Sequence, residues 1–201
     1  MHVNLLKAVA AATSAACIAL PLALAGGSAQ AAAPLHNAVI SASYNGDAAG
    51  MLGLDHGFNA EPGSNVSGLD PNTPGAEFLS ADYLLAFDFS ADGHLTILNN
   101  GPVSGGSYSA TFDFGATLAA PIAGFSVVDS GATSGTPVLT IVNSHAIAID
   151  LSAVNWNGDF NALETAIVLQ AMPVPEPAAG WMLLAGLAGL GAMARRRKPQ
   201  H

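Results

Sequence analysis

The stretch Asp88-Phe89-Ser90-Ala91-Asp92-Gly93 sets side-chain oxygens at alternate positions and ends on glycine. A hard cation is wrapped by that kind of spacing, so Asp88, Ser90 and Asp92 are candidate calcium ligands. His94 would follow through its carbonyl oxygen, but Asn99 stands where such a loop closes with a bidentate Glu. A β-hairpin accounts for the same residues without any metal, because Asp-Gly is a strong hairpin signal. The expectation is a hairpin with no metal or other cofactor, calcium being the one cation the spacing suggests.

Other chemistry is sparse. His36, His56, His94 and His145 lie far apart in sequence, and none forms a local metal pair with another. No H-E-x-x-H, G-x-S-x-G, phosphate-binding loop or dinucleotide fingerprint is present. A Ser-His-Asp set or a carboxylate pair assembled in space would make the protein a small secreted hydrolase acting on matrix carbohydrate or protein. That is the alternative to a non-enzymatic reading, which the absence of motifs favours. Trp156 sits among turn-forming residues in Asn155-Trp156-Asn157-Gly158-Asp159-Phe160. It either stacks on a sugar as a carbohydrate contact, in a lectin-like module, or tucks into the edge of the core.

Charge narrows the partners further. All five Lys and Arg residues lie near the two ends, at Lys7 and at Arg195, Arg196, Arg197 and Lys198. Thirteen of the 14 carboxylates fall between residues 32 and 173, where no Lys or Arg occurs, so that span carries a formal charge of −13. Nucleic acid is excluded as a partner, since its binding requires cations to displace phosphate counterions. Negative charge favours solubility and would attract divalent cations or basic partners. Cys17, the only cysteine, lies in the N-terminal apolar run, so the remainder has no disulfide.

These residues must be positioned by strands. From Ser107 to Phe114, Tyr108, Ala110, Phe112 and Phe114 alternate with Ser107, Ser109, Thr111 and Asp113. That period of two fits a sheet with one wet face. Further strands are expected at Ala38–Tyr44, Tyr83–Phe89, His94–Leu98, Gly124–Asp129, Val138–Val142, His145–Leu151 and Thr165–Ala171. Turns are expected at Ala91-Asp92-Gly93, Asn99-Asn100-Gly101-Pro102 and Asn143-Ser144. The polar segment Asn59–Ala76 reads as a surface loop, and Ala153–Leu163 as a loop or short helix. Phe87, Phe89, Phe112, Phe114, Phe125, Ile147 and Ile149 are the expected core. The fold class is therefore all-β, an antiparallel β-sandwich or jelly-roll-like domain over residues 32–171.

Both ends carry addresses. Lys7, an apolar run from Ala8 to Ala25 and the A-x-A site Ala29-Gln30-Ala31 make residues 1–31 a signal peptide cleaved after Ala31. At the other end, residues 172–201 hold Val174-Pro175-Glu176-Pro177, then an uncharged apolar run at 178–194, then the basic cluster at 195–198. As a helix, the run is roughly 25 Å long, about the thickness of a bilayer core. The basic cluster would hold its end on the cytoplasmic side of the inner membrane. Prolines at every second position keep the preceding segment extended.

This tripartite tail resembles the PEP-CTERM sorting signal of exported bacterial proteins. The resemblance is carried by Val174-Pro175-Glu176-Pro177, the Gly/Ala/Leu-rich span containing Trp181, and the terminal Arg cluster, and is confined to about the last 30 residues. It implies recognition of the Pro-Glu-Pro region by an exosortase-type membrane protease that removes the tail. It also implies a Gram-negative bacterium that makes exopolysaccharide. The expected protein is exported, held transiently in the inner membrane, and released to the cell surface or extracellular matrix. There it would associate with exopolysaccharide in a biofilm.

Overall fold

Alternate burial marks the long strands, as the sequence pattern requires. In Ser109–Asp113 only Ala110 and Phe112 are buried, and in Leu85–Phe89 the buried residues are Leu85, Phe87 and Phe89. The computed structural model describes residues 34–69, 75–130, 133–171 and 185–188. The expected signal peptide and its cleavage residues Ala29 and Ala31 lie outside the described residues. So do the Pro-Glu-Pro segment, the basic cluster and most of the apolar run. Residues 185–188 form a helical turn, and no helix among the described residues is long and apolar enough to cross a membrane.

The described strands are β1 (Val39–Tyr44), β2 (Met51–Gly53), β3 (Val66–Gly68), β4 (Phe78–Ser80), β5 (Leu85–Phe89), β6 (His94–Asn99) and β7 (Ser109–Asp113). They continue with β8 (Ile122–Asp129), β9 (Thr133–Ser134), β10 (Val138–Asn143), β11 (Ala146–Asp150), β12 (Asn155–Trp156) and β13 (Ala162–Leu169). The protein is all-β, with strands paired antiparallel throughout. One sheet runs β10-β11-β7-β1-β3, a second runs β2-β4-β5-β6-β13-β8, and β12 pairs with β9 separately.

Register places the apolar faces. In the first sheet Phe112 stands beside Ala42 of β1 and Ile147 of β11. In the second, Phe87 pairs with both Phe78 and Ile97, and Ile97 with Leu163. The two inner faces meet at Phe112, whose ring centroid lies 6.0 Å from Phe78, 5.2 Å from Phe87 and 5.0 Å from Phe89. Phe89 also meets Phe114 edge-on at 5.8 Å. Edge-to-face aromatic pairs add cohesion beyond the area they bury.

All eight expected strands form, with modest shifts at their ends. The Asp-Gly hairpin forms too: Ser90 N donates to His94 O at 2.9 Å, Gly93 N donates to Ser90 O at 3.0 Å, and Gly93 takes φ 98°.

Two expectations are corrected, and a third is refined. The segment expected as a surface loop, Asn59–Ala76, contains β3, which pairs with β1 from Val39↔Gly68 to Ser41↔Val66. Side chains supply what the polar sequence hides. The Asp55 carboxylate accepts from Gly68 N at 2.8 Å, and Asn65 Nδ2 donates to Ala42 O at 2.9 Å. The segment Ala153–Leu163 holds β12 and the start of β13 in place of a helix. Phe125 packs against the core as expected but is only half-buried, because β8 is an edge strand whose register shifts twice against β13.

Candidate functional site

The hairpin between β5 and β6 gathers part of the candidate cation set. Ser90 Oγ donates to Asp92 Oδ1 and also accepts from His94 N at 3.1 Å. The Ser90 hydroxyl, and then the neighbouring His94, hold the Asp92 carboxyl below its ordinary range. Asp88 is half-buried on β5 opposite Thr96 of β6, and burial pushes its carboxyl up. Ser90 and Asp92 therefore satisfy one another within the turn, while Asp88 belongs to the strand. Among the described residues no group of three or more His, Cys, Asp or Glu side chains is arranged to hold a metal ion.

Histidines pair with carboxylates. His94 Nδ1 lies 2.5 Å from Glu164 Oε1 on β13, and its Nε2 lies 4.0 Å from Asp92 Oδ2. His145 Nδ1 is 2.7 Å from Asp113 Oδ1, and His56 Nδ1 is 2.8 Å from Glu61 Oε1. A shallow depression of about 340 Å³ is lined by Ala49, Ala60, Glu61, Pro62 and Ser64.

The aromatic candidate lies in β12, where Trp156 pairs with Thr133 of β9. Its ring is half-buried and rests against the core. The exposed ring of that turn-rich segment is Phe160, which has 72% of its surface in solvent. Tyr83 is 56% exposed, and both residues adopt a left-handed backbone, with φ 58° at Phe160 and 61° at Tyr83. Sequence pattern misses the pair for two reasons: alternation with Leu85, Phe87 and Phe89 draws Tyr83 into the expected strand, which starts only at Leu85, and Phe160 lies two residues before β13. The signal available was Asn99-Asn100. Asn99 is fully buried, donating from Nδ2 to Gly158 O at 2.7 Å and accepting from Asn161 N at 2.7 Å.

An all-β domain closing at Leu169 and followed within a few residues by a proline-rich, apolar and basic tail defines a protein carrying a C-terminal sorting signal. Residues 173–198 match the PEP-CTERM protein-sorting motif. That motif belongs to exported proteins handled at the membrane and processed by exosortase, itself a membrane protein. The match is confined to the C-terminal region, as the residue-level resemblance implied, and includes Val174, Pro175, Glu176, Pro177 and the cluster Arg195 to Lys198. Comparisons with curated proteins and with solved structures gave no match for the chain.

Proposed function

We propose that this protein is a non-enzymatic component of the cell surface or extracellular matrix of a Gram-negative bacterium, sorted by its C-terminus and associated with exopolysaccharide. Residues 1–31 act as a signal peptide. The run at 178–194 halts in the inner membrane as a helix, with Arg195, Arg196, Arg197 and Lys198 on the cytoplasmic side. The two main sheets form the layers of a sandwich, a reading supported by the rings of Phe78, Phe87 and Phe89 against Phe112. The domain works without a metal, since the hairpin alone accounts for Asp88, Ser90 and Asp92.

The carrying observation is the motif match at residues 173–198, shortly after the last described strand, which ends at Leu169. On this reading, the proline at every second position from 173 to 177 would present a membrane protease with an extended segment next to the domain. Prolines 173, 175 and 177 lack amide donors and cannot add to a ladder, so the main chain stays available. Glu176→Ala removes a recognition element, whereas replacing residues 195–198 with Ser removes the topological signal. Both changes should leave an unprocessed precursor in a host that carries the protease. In the first, the tail end stays protected from external protease; in the second, it becomes exposed. Normal processing of both variants would overturn the reading.

A further inference from the structure

We propose that Tyr83 and Phe160 form a two-ring platform for a neutral glycan at one end of the second sheet. This deepens the polysaccharide part of the proposed function and rests on it, while standing apart from the sorting signal. Among the described residues these are the two aromatic side chains exposed to solvent; the other rings are buried or half-buried. Each lies two positions before a strand, Tyr83 before β5 and Phe160 before β13, and those strands flank β6. At about 4.8 Å between neighbouring strands, the two backbone positions stand roughly 10 Å apart.

The end of β6 fixes both. Phe160 N donates to Asn99 O at 3.0 Å, and the buried Asn99 side chain bonds Gly158 O and Asn161 N. The next residue, Asn100, donates from its amide to Leu84 O at 2.8 Å and from Nδ2 to Tyr83 O at 3.1 Å. Bulky residues rarely adopt the left-handed region; Phe58 does so elsewhere in the domain, and at this end of the sheet Phe160 does so while donating to Asn99 O and Tyr83 while accepting from Asn100 Nδ2. These bonds fix the main chain beneath each ring, so little backbone freedom is lost when a ligand stacks there.

The surroundings select the ligand. Asp82, Asn157 and Asp159 are exposed close to the rings in sequence, Asn100 is exposed where it bonds Tyr83 O, and together they offer donors and acceptors for hydroxyl groups. Aromatic faces take up the C–H face of a sugar ring, and polar side chains at their rim fix its hydroxyls. A protein hot spot would instead sit within an apolar, desolvated patch. The absence of Lys and Arg from residues 32–173 leaves no partner for uronate or sulfate groups, and the net negative charge repels them.

The test is affinity electrophoresis of the full chain in detergent. Gels contain hydroxyethylcellulose, galactomannan or dextran as neutral probes and alginate as an anionic one. The wild type should be retarded by at least one neutral polymer and not by alginate. The double variant Tyr83→Gly/Phe160→Gly should weaken that retardation by about tenfold or more. Glycine suits a left-handed backbone, so the melting midpoint should not fall. The pair Tyr83→Asn/Phe160→Asn, also tolerant of that region, provides a second folded variant. No retardation by any neutral polymer, or equal retardation of the folded variants, overturns the proposal. So does reversible self-association that both variants abolish, which would make the rings a protein interface. C-terminal processing is read separately by mass, so its failure and this one are distinguishable.

Discussion

Phe112 shows how much of this domain depends on single side chains. It is fully buried on β7 and touches the rings of three residues from the second sheet. Replacing it with Ala removes the transfer energy of the ring and leaves a cavity where four phenylalanines meet. The expected cost of Phe112→Ala is about 3–5 kcal/mol, read as a lower denaturant midpoint. With no disulfide in the span, that is a large part of ordinary domain stability. A midpoint equal to the wild type would place the ring outside the core. Tyr44 shows the opposite economy: its hydroxyl is buried with no hydrogen-bond partner among the described residues. Burial first, and then the Asp82 carboxylate, push that phenol up.

Between elements, glycine decides where the chain can close. Gly135 has φ 83°, and a Cβ there would lie 2.0 Å from the Ala153 carbonyl oxygen, between the small strands β9 and β12. Gly46 has nearly the same φ, 79°, with nothing within 4 Å. Gly46→Ala should therefore cost only backbone strain, about 1–2 kcal/mol. Gly135→Ala adds a backbone clash and should cost clearly more, measured as the difference between the two denaturation midpoints. Equal costs would mean that the β9–β12 contact yields freely. The edge strand β10 carries no charge and exposes Val138, Ile141 and Val142, with a register shift between Ile141 and Asn143 to interrupt a flat edge.

The long strands were legible because one wet face imposes strict alternation, as in Thr111-Phe112-Asp113. The short ones were not. β3 reads Val66-Ser67-Gly68, and its fully buried Ser67 looks like a loop residue. Its place is set by β1 and by Asp55, which lies 13 residues before Gly68 in the chain. Phe125 followed the pattern but not the topology, since alternation says nothing about which strand ends at an edge. The hairpin chemistry of Asp92-Gly93 was visible in advance. The exposed aromatic of the Asn155–Phe160 turn was visible as a segment and not as a residue: Phe160, not Trp156, faces the solvent.

For the molecule as a whole, acidity sets the response to pH. Asp92, Asp113 and Asp150 are held below their ordinary range, first by the Ser90 hydroxyl, the Gly115 amide and the Ser152 hydroxyl respectively. A depressed carboxyl stabilises the fold above its unfolded value, near 3.9, and that contribution disappears as pH falls through the lower folded value. Asp88 acts in the opposite sense, because burial raises its carboxyl and its ionisation opposes folding at neutral pH. The melting midpoint should drop as pH falls from about 5 to about 2. Asp88→Asn should raise the midpoint at pH 7 and lose that advantage in acid. A midpoint lowered by Asp88→Asn at pH 7 only when millimolar calcium is present would instead restore the cation reading.

The central claim is that the chain is exported and then cut at its C-terminal motif. Intact-mass spectrometry of the protein recovered from its native host tests this most directly, because one number reports both ends. The mature polypeptide should begin at Ala32 and lack Trp181 to His201, with any attached group appearing as added mass. A mature protein that still carries His201, or a tag placed after it, in a host with the protease would contradict the account and leave the apolar run as a plain membrane anchor.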